Sequence, residues 1–275
     1  MNPEGILHHP TIFKLGPLEL TGFGLSVLAA FAISQIICQR ELWRRGHDAE
    51  ADAMADIVMA ALLGTLIGAK TYYVVLTGDP RAFFSRGGFV FWGGFMGSVA
   101  LCWATIRYKK LKFLRIADVA GIAIAAGYSV GRAGCWAVGD DYGRPWNSPF
   151  AVRFPEGAPP TTAAILQSDY GSTFPPGTPP DAVIAVHPTQ LYEVALGFAM
   201  FAILWRLRKH LHKEGWLFGV WCVLAGIERF IIEFFRAKSD VTAAGLTTAQ
   251  VVAITVFTIG LGLLAARRGP STASA

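Results

Sequence analysis

The chain has 275 residues, is 53% hydrophobic and only 16% charged, with a mean hydropathy of +0.44, whereas a soluble domain carries roughly a quarter charged residues. The charge deficit falls in long apolar blocks, which excludes an ordinary soluble fold and points to an all-α, polytopic membrane protein. A net charge of +5 does not indicate nucleic-acid binding, because the basic residues sit in short loops between apolar runs, where they set topology.

The N-terminal MNPEGILHHP has no basic region leading into an apolar core, so no cleavable signal peptide is expected and the first span serves as an uncleaved signal. Seven apolar segments are long enough to span about 30 Å of hydrocarbon. They lie near 18–38, 54–76, 88–106, 116–136, 188–206, 216–235 and 247–266 and are expected to form a single membrane domain. Between the second and third, GDPRAFFSRGG mixes Arg with Phe and reads as an interfacial segment. Loops 39–53, 107–115 and 206–215 and the tail hold 14 Lys and Arg, against seven on the opposite side. The basic side is therefore cytoplasmic, with the N-terminus outside and the C-terminus inside. The long connection 137–186 lies outside and contains nine prolines. It cannot be a membrane helix, and a small irregular cap is expected there. Cys38, Cys102, Cys135 and Cys222 lie in or beside apolar runs without paired spacing, which argues against a disulfide scaffold or a CxxC metal site. No metal, nucleotide or other cofactor is expected.

Three segments carry polar groups where lipid penalises them. The fourth span ends in GYSVGRAGCWAVGDDYGRPW, the fifth opens with HPTQLYE, and the sixth contains GIERFIIEFFR. At 100° per residue Arg229, Glu233 and Arg236 fall within about 60° on one helical face. A charge at mid-helix costs about 2.5–3.5 kcal/mol on insertion scales, so this face must meet water, partners or an anion. Arg132 among Gly131, Gly134, Gly139 and Gly143 suits a phosphate cradle of backbone N–H groups and a guanidinium. His187, Gln190 and Glu193 recur every three residues and share a broad face, while Tyr192 suits an interfacial belt. The bland alternatives are an internal Arg229–Glu233 ion pair, a glycine packing face and a helix cap. All three segments converge at the outer ends of spans four to six, which favours a lipid-headgroup site.

GRxG followed by GxxYGR, then HPTQLYE, then ERFxxEFFR, resembles prolipoprotein diacylglyceryl transferase, as do GPLELTGFGL, IGAKTYYVV and GGFVFWGGFMG. The resemblance runs in order along nearly the whole chain. It implies a seven-helix enzyme of the bacterial inner membrane with its site on the periplasmic face, embedded among membrane lipids. The implied reaction moves a diacylglyceryl group from phosphatidylglycerol to the thiol of a prolipoprotein lipobox cysteine and releases glycerol 1-phosphate. Carried over by motif, Arg132 and Arg229 hold the phosphate, and Glu193, Glu233 and Gly143 stand at matching positions, with Arg236 on the same helical face expected among the lipid-binding residues. Asp140 replaces the family's usual Glu, and Lys70 a frequent Arg. Trp92 stands in place of the family's histidine, Phe23 of a tyrosine and Cys135 of an asparagine. The general base is then sought among Asp140, Glu193, Glu233 and His187. The alternatives are a paralogue with another acceptor and a phospholipid-binding protein without catalysis.

Overall fold

The computed structural model describes residues 5–15, 18–85, 88–237 and 245–270. Helices dominate: α1 (Gly22–Arg44), α2 (Asp48–Asp52), α3 (Met54–Thr77), α4 (Phe91–Tyr108), α5 (Phe113–Val138), α6 (Ala163–Tyr170), α7 (Thr189–Leu207), α8 (Trp216–Ile232) and α9 (Thr248–Ala266). Five stretches are long and apolar enough to cross a membrane: α1, the Asp48–Thr77 run, α5, α7 and α9. At 18 and 17 residues, α4 and α8 fall outside that set. Short strands β1 (Ile6–Leu7), β2 (Ile12–Leu15), β3 (Leu18–Thr21) and β4 (Val152–Arg153) and a 3₁₀ turn at Pro80–Phe84 complete the described elements.

The first helix does not begin at residue 18 as expected. Leu18–Thr21 reads Leu-Glu-Leu-Thr, a period of two, and it pairs antiparallel with Ile12–Leu15. The helix starts at Gly22, whose N–H donates to Thr11 O at 2.9 Å. It then runs to Arg44, because Glu41 on its last turns gathers the charges of Arg44 and Arg45.

The chain divides into two compact units, residues 31–123 and residues 1–30 with 124–275. In the first, α3 and α4 pack through facing glycines. A Cβ on Gly68 would lie 2.2 Å from Gly93 O, and one on Gly64 would lie 2.4 Å from Gly97 O, so only hydrogen at these positions lets the backbones meet. Leu42, Met54, Ile57, Ile106 and Val119 form the apolar core of this unit. Arg115–Glu50 at 2.6 Å ties α2 to the first turn of α5. The expected interfacial segment contains a single 3₁₀ turn, Pro80–Phe84, started by Asp79 accepting from Arg81 N at 2.9 Å.

In the second unit the connection between α5 and α7 is more ordered than its proline content suggests. β4 pairs in parallel with β1, and Thr162 caps α6 by accepting from Ile165 N. Tyr142, Val152, Phe154, Leu166 and Val186 close a separate apolar cluster, with Phe154 fully buried. Proline interrupts helix here, but burial of these side chains still fixes the chain.

Candidate functional site

Three helix ends and one turn of the second unit build the site. On α5, Tyr128, Arg132 and Cys135 follow at i, i+4 and i+7, one helical face. The helix stops at Val138, and Gly139 (φ +69°) and Asp141 (φ +59°) take left-handed conformations. That region is open to glycine and tolerated by Asp, and it returns the Asp141 carboxylate to Arg132. On α7, Gln190 and Glu193 lie on the buried side. From α8 come Glu228 and Arg229, and just beyond its end Glu233 and Arg236.

Three guanidinium groups converge on one carboxylate oxygen. Glu193 Oε1 lies 3.3 Å from Arg132 Nη2, 3.5 Å from Arg236 Nη1 and 3.7 Å from Arg229 Nη1. The Glu193 side chain has no exposed surface. Asp141 joins Arg132 and Arg236 through one oxygen each. Arg229 Nη2 donates to Glu233 Oε2 at 2.8 Å, and that oxygen lies 4.0 Å from Arg236 Nε. The Tyr128 hydroxyl reaches Glu193 Oε1 at 3.0 Å and Glu228 Oε1 at 3.1 Å. Arg132 Nη1 also donates to Cys135 Sγ at 3.8 Å, and its guanidinium lies 5.3 Å from the Tyr128 ring centroid. Buried charges persist only when paired in this way.

Outside the helices, burial pushes the Asp141 carboxyl up, but Arg236 and Arg132 outweigh it and hold the group well below the usual carboxylate range. Asp140 shifts the other way, raised by burial and by the adjacent Asp141. His187 is lowered by burial and then by Arg144, so its ring is neutral at pH 7.

Arg132, Arg229, Arg236, Glu193 and Glu233 therefore come together. Asp140 contributes its backbone carbonyl, which accepts from Gln190 Nε2 at 2.6 Å, while the ion pairs to Arg132 and Arg236 belong to Asp141. Gly143 has a packing reason. A Cβ there would lie 2.4 Å from Phe235 O and 2.7 Å from His187 Cβ. Its N–H donates to His187 O and it bridges to Arg236, so the turn, the start of α7 and the end of α8 run in contact. His187 stacks on Trp146 with ring centroids 4.2 Å apart, and its Nδ1 lies 3.3 Å from the Tyr192 hydroxyl. Phe23 is 41% exposed at the start of α1, where a Cβ on Gly134 would lie 3.3 Å from Phe23 Cα.

Lys70 and Trp92 belong to the unit of residues 31–123. Lys70 is buried and donates to Ser85 O at 2.6 Å, 4.4 Å from the Phe89 ring centroid. Trp92 is half-exposed and meets Phe91 and Phe95 edge-on.

Asp141, Tyr128 and Glu228 join this cluster without standing out in the sequence. Tyr128 stands one turn before Arg132 and Glu228 directly before Arg229, so a search one turn around each arginine finds both. Among the described residues, Gln190 Oε1, Glu193 Oε2, Arg229 Nη1, Glu233 Oε1 and Arg236 Nε are buried and make no hydrogen bond. Two of these are guanidinium donors, suited to an oxyanion. Beside Glu233 and Arg236 opens a cavity of about 320 Å³, lined also by Arg144, Tyr170, Thr247 and Gln250.

The family described as prolipoprotein diacylglyceryl transferase matches residues 10–266. The phosphatidylglycerol–prolipoprotein diacylglyceryl transferase of Xanthomonas oryzae pv. oryzae is 29% identical over 276 residues, covering 95% of this chain and 92% of that protein. Its counterpart in Geobacter sulfurreducens is 29% identical, covering 94% and 96%, and that of Nitratidesulfovibrio vulgaris 28%, covering 94% of each.

Proposed function

The chain belongs to the prolipoprotein diacylglyceryl transferase family, and from that premise we propose that it transfers diacylglycerol from phosphatidylglycerol to a lipobox cysteine thiol. A thioether forms and glycerol 1-phosphate leaves. The observation that carries this reading is the convergence of Arg132, Arg229 and Arg236 on Glu193, with Arg229 Nη1 and Arg236 Nε still able to donate.

The reaction needs fixed positive charge where the phosphate ester departs. Arg132 and Arg229 supply it, each oriented by a carboxylate, Asp141 and Glu233 respectively. Forming the thiolate is the smaller demand. An unperturbed thiol has a pKa near 8.5, so ionising it at pH 7 costs about 2 kcal/mol. The rest of the machinery places the phosphate, and a bidentate guanidinium does that better than a point charge.

Topologically this is one membrane domain of the bacterial inner membrane with seven spans, α4 and α8 being the two short ones. The N-terminus and the α5–α7 connection face the periplasm, and the basic loops face the cytoplasm. The site then lies at the outer leaflet, where an exported prolipoprotein meets phosphatidylglycerol.

The test is purified full-length protein with phosphatidylglycerol and a lipobox peptide, scored for the thioether product. Transfer dependent on both substrates supports the reading. Tight lipid retention with no turnover would overturn it and select a non-catalytic lipid-binding protein.

A further inference from the structure

The Tyr128 hydroxyl lies 3.0 Å from Glu193 Oε1 and 3.1 Å from Glu228 Oε1. A phenol has one hydrogen to donate, and an ionised carboxylate only accepts. With both carboxyls ionised, one contact would set oxygen lone pairs against each other between buried groups, which is costly. One carboxyl must therefore carry a proton and donate it to the phenol oxygen. Glu193 Oε1 faces Arg132 from α5, Arg229 from α8 and Arg236 beyond it, so these three guanidinium groups favour the negative charge on Glu193. Asp141 and Glu233 are each paired with a guanidinium, while at Glu228 burial and the Glu193 carboxylate are set against the pull of Arg229 and Arg132. The proton belongs to Glu228.

We propose that Glu228, Tyr128 and Glu193 form a proton relay that serves the departing phosphate of the transfer reaction proposed above, on which this inference rests. A phosphate held by Arg132 and Arg229 lies beside Glu193, the carboxylate both arginines contact. The thiol sulfur forms its bond to the glyceryl carbon, and the carbon–oxygen bond breaks with its electron pair passing to the phosphate oxygen. Glu193 accepts the Tyr128 hydrogen as Tyr128 accepts that of Glu228, and the protonated Glu193 then passes a proton to the departing oxygen and is ionised again. The thiol proton goes to water and Glu228 regains one from water, so the net result is one proton moved from sulfur to glycerol phosphate. Tyr128 and Glu228 act through Glu193 and are positioning residues.

The variants are Glu228→Gln and Tyr128→Phe in the full-length protein, in bilayer discs containing phosphatidylglycerol. Glutamine donates the same hydrogen bond to Tyr128 but releases no proton, so it preserves the packing. Both variants should lose about 100-fold in kcat, the lower end of general-acid effects, with KM for phosphatidylglycerol within about twofold. The fall of wild-type kcat at high pH, where Glu228 empties, should vanish in Glu228→Gln. Infrared spectra of the resting protein should show a carboxylic-acid carbonyl band that Glu228→Gln removes, a readout needing no turnover. A band unchanged in Glu228→Gln, or a variant keeping the wild-type kcat and pH profile, overturns the relay. Should Tyr128→Phe fail to fold, Glu228→Gln alone decides. Absence of transfer by the wild type would instead strike the proposed function, leaving the infrared band to judge the proton's place.

Discussion

Glu193→Gln isolates what the central carboxylate does for three arginines. The substitution keeps the shape and one acceptor oxygen but removes a charge with no exposed surface, within 3.3–3.7 Å of three guanidinium groups. Breaking a buried ion pair from one side costs about 3–5 kcal/mol. Arg132 and Arg236 keep Asp141, and Arg229 keeps Glu233, so the lower end applies, about 3 kcal/mol. For a chain of this size each kcal/mol moves the melting temperature by about 2–4 °C, giving an expected drop of about 6–12 °C in neutral detergent. An anionic phospholipid restores the missing negative charge. At one hundred times its Kd a ligand stabilises by about 2.7 kcal/mol. Added phosphatidylglycerol should therefore recover most of the loss, and phosphatidylcholine should not. The assay is thermal unfolding followed by tryptophan fluorescence, for wild type and variant, with each lipid. A drop below about 2 °C, or equal recovery with the zwitterionic lipid, would refute the view that Glu193 is the resting counter-ion of a phosphate site.

Further expectations can be checked independently. Arg132→Gln or Arg229→Gln should abolish transfer, and Lys at either position should rescue poorly, because an ammonium cannot reproduce the bidentate fork; equal turnover by Lys and Arg forms would count against the clamp. Gly143→Ala should destabilise by about 1–3 kcal/mol through overpacking, since its Cβ would press on Phe235 O at 2.4 Å; a denaturation midpoint equal to wild type would contradict this. Reporter fusions after Arg45, Lys112 and Lys213 should read cytoplasm, and one within 150–180 should read periplasm, with a cytoplasmic signal from the last placing the site at the wrong leaflet.

Much of the helical framework is visible in the sequence because apolar blocks of about twenty residues have few alternatives. The exceptions have local causes. Leu18–Thr21 looks like the start of a span by hydropathy, yet its alternation and its partner at Ile12–Leu15 make it strand. The α5–α7 connection looks irregular because proline dominates it, while the contacts that order it, such as Phe154 against Tyr142, join residues far apart. Arg229 and Glu233 pair at i, i+4 across the end of α8, a meeting that helical periodicity anticipates. Their meeting with Arg132 and Glu193 depends on how α5, α7 and α8 pack, which no single segment encodes. The choice between Asp140 and Asp141 is finer still. Only the left-handed backbone at Gly139 and Asp141 decides which carboxylate faces the arginines.

The proposed phosphate site looks self-defeating with so many carboxylates, since Asp141, Glu193 and Glu233 occupy the guanidinium groups that the lipid would need. Within a membrane the alternative is worse, because unpaired arginines there cost several kcal/mol each. The carboxylates keep the empty site close to neutral, and the arriving phosphate must compete with them. A phosphodiester carries one negative charge and competes weakly. As its carbon–oxygen bond breaks, charge builds on the departing oxygen until the proton arrives, and its pull on Arg132 and Arg229 grows while that of Asp141 and Glu233 stays fixed. Interactions that strengthen only along the reaction lower the barrier, whereas those equal in both states do not. Carboxylate competition therefore trims ground-state lipid binding and leaves the gain for the transition state, which suits an enzyme whose donor surrounds it in the bilayer.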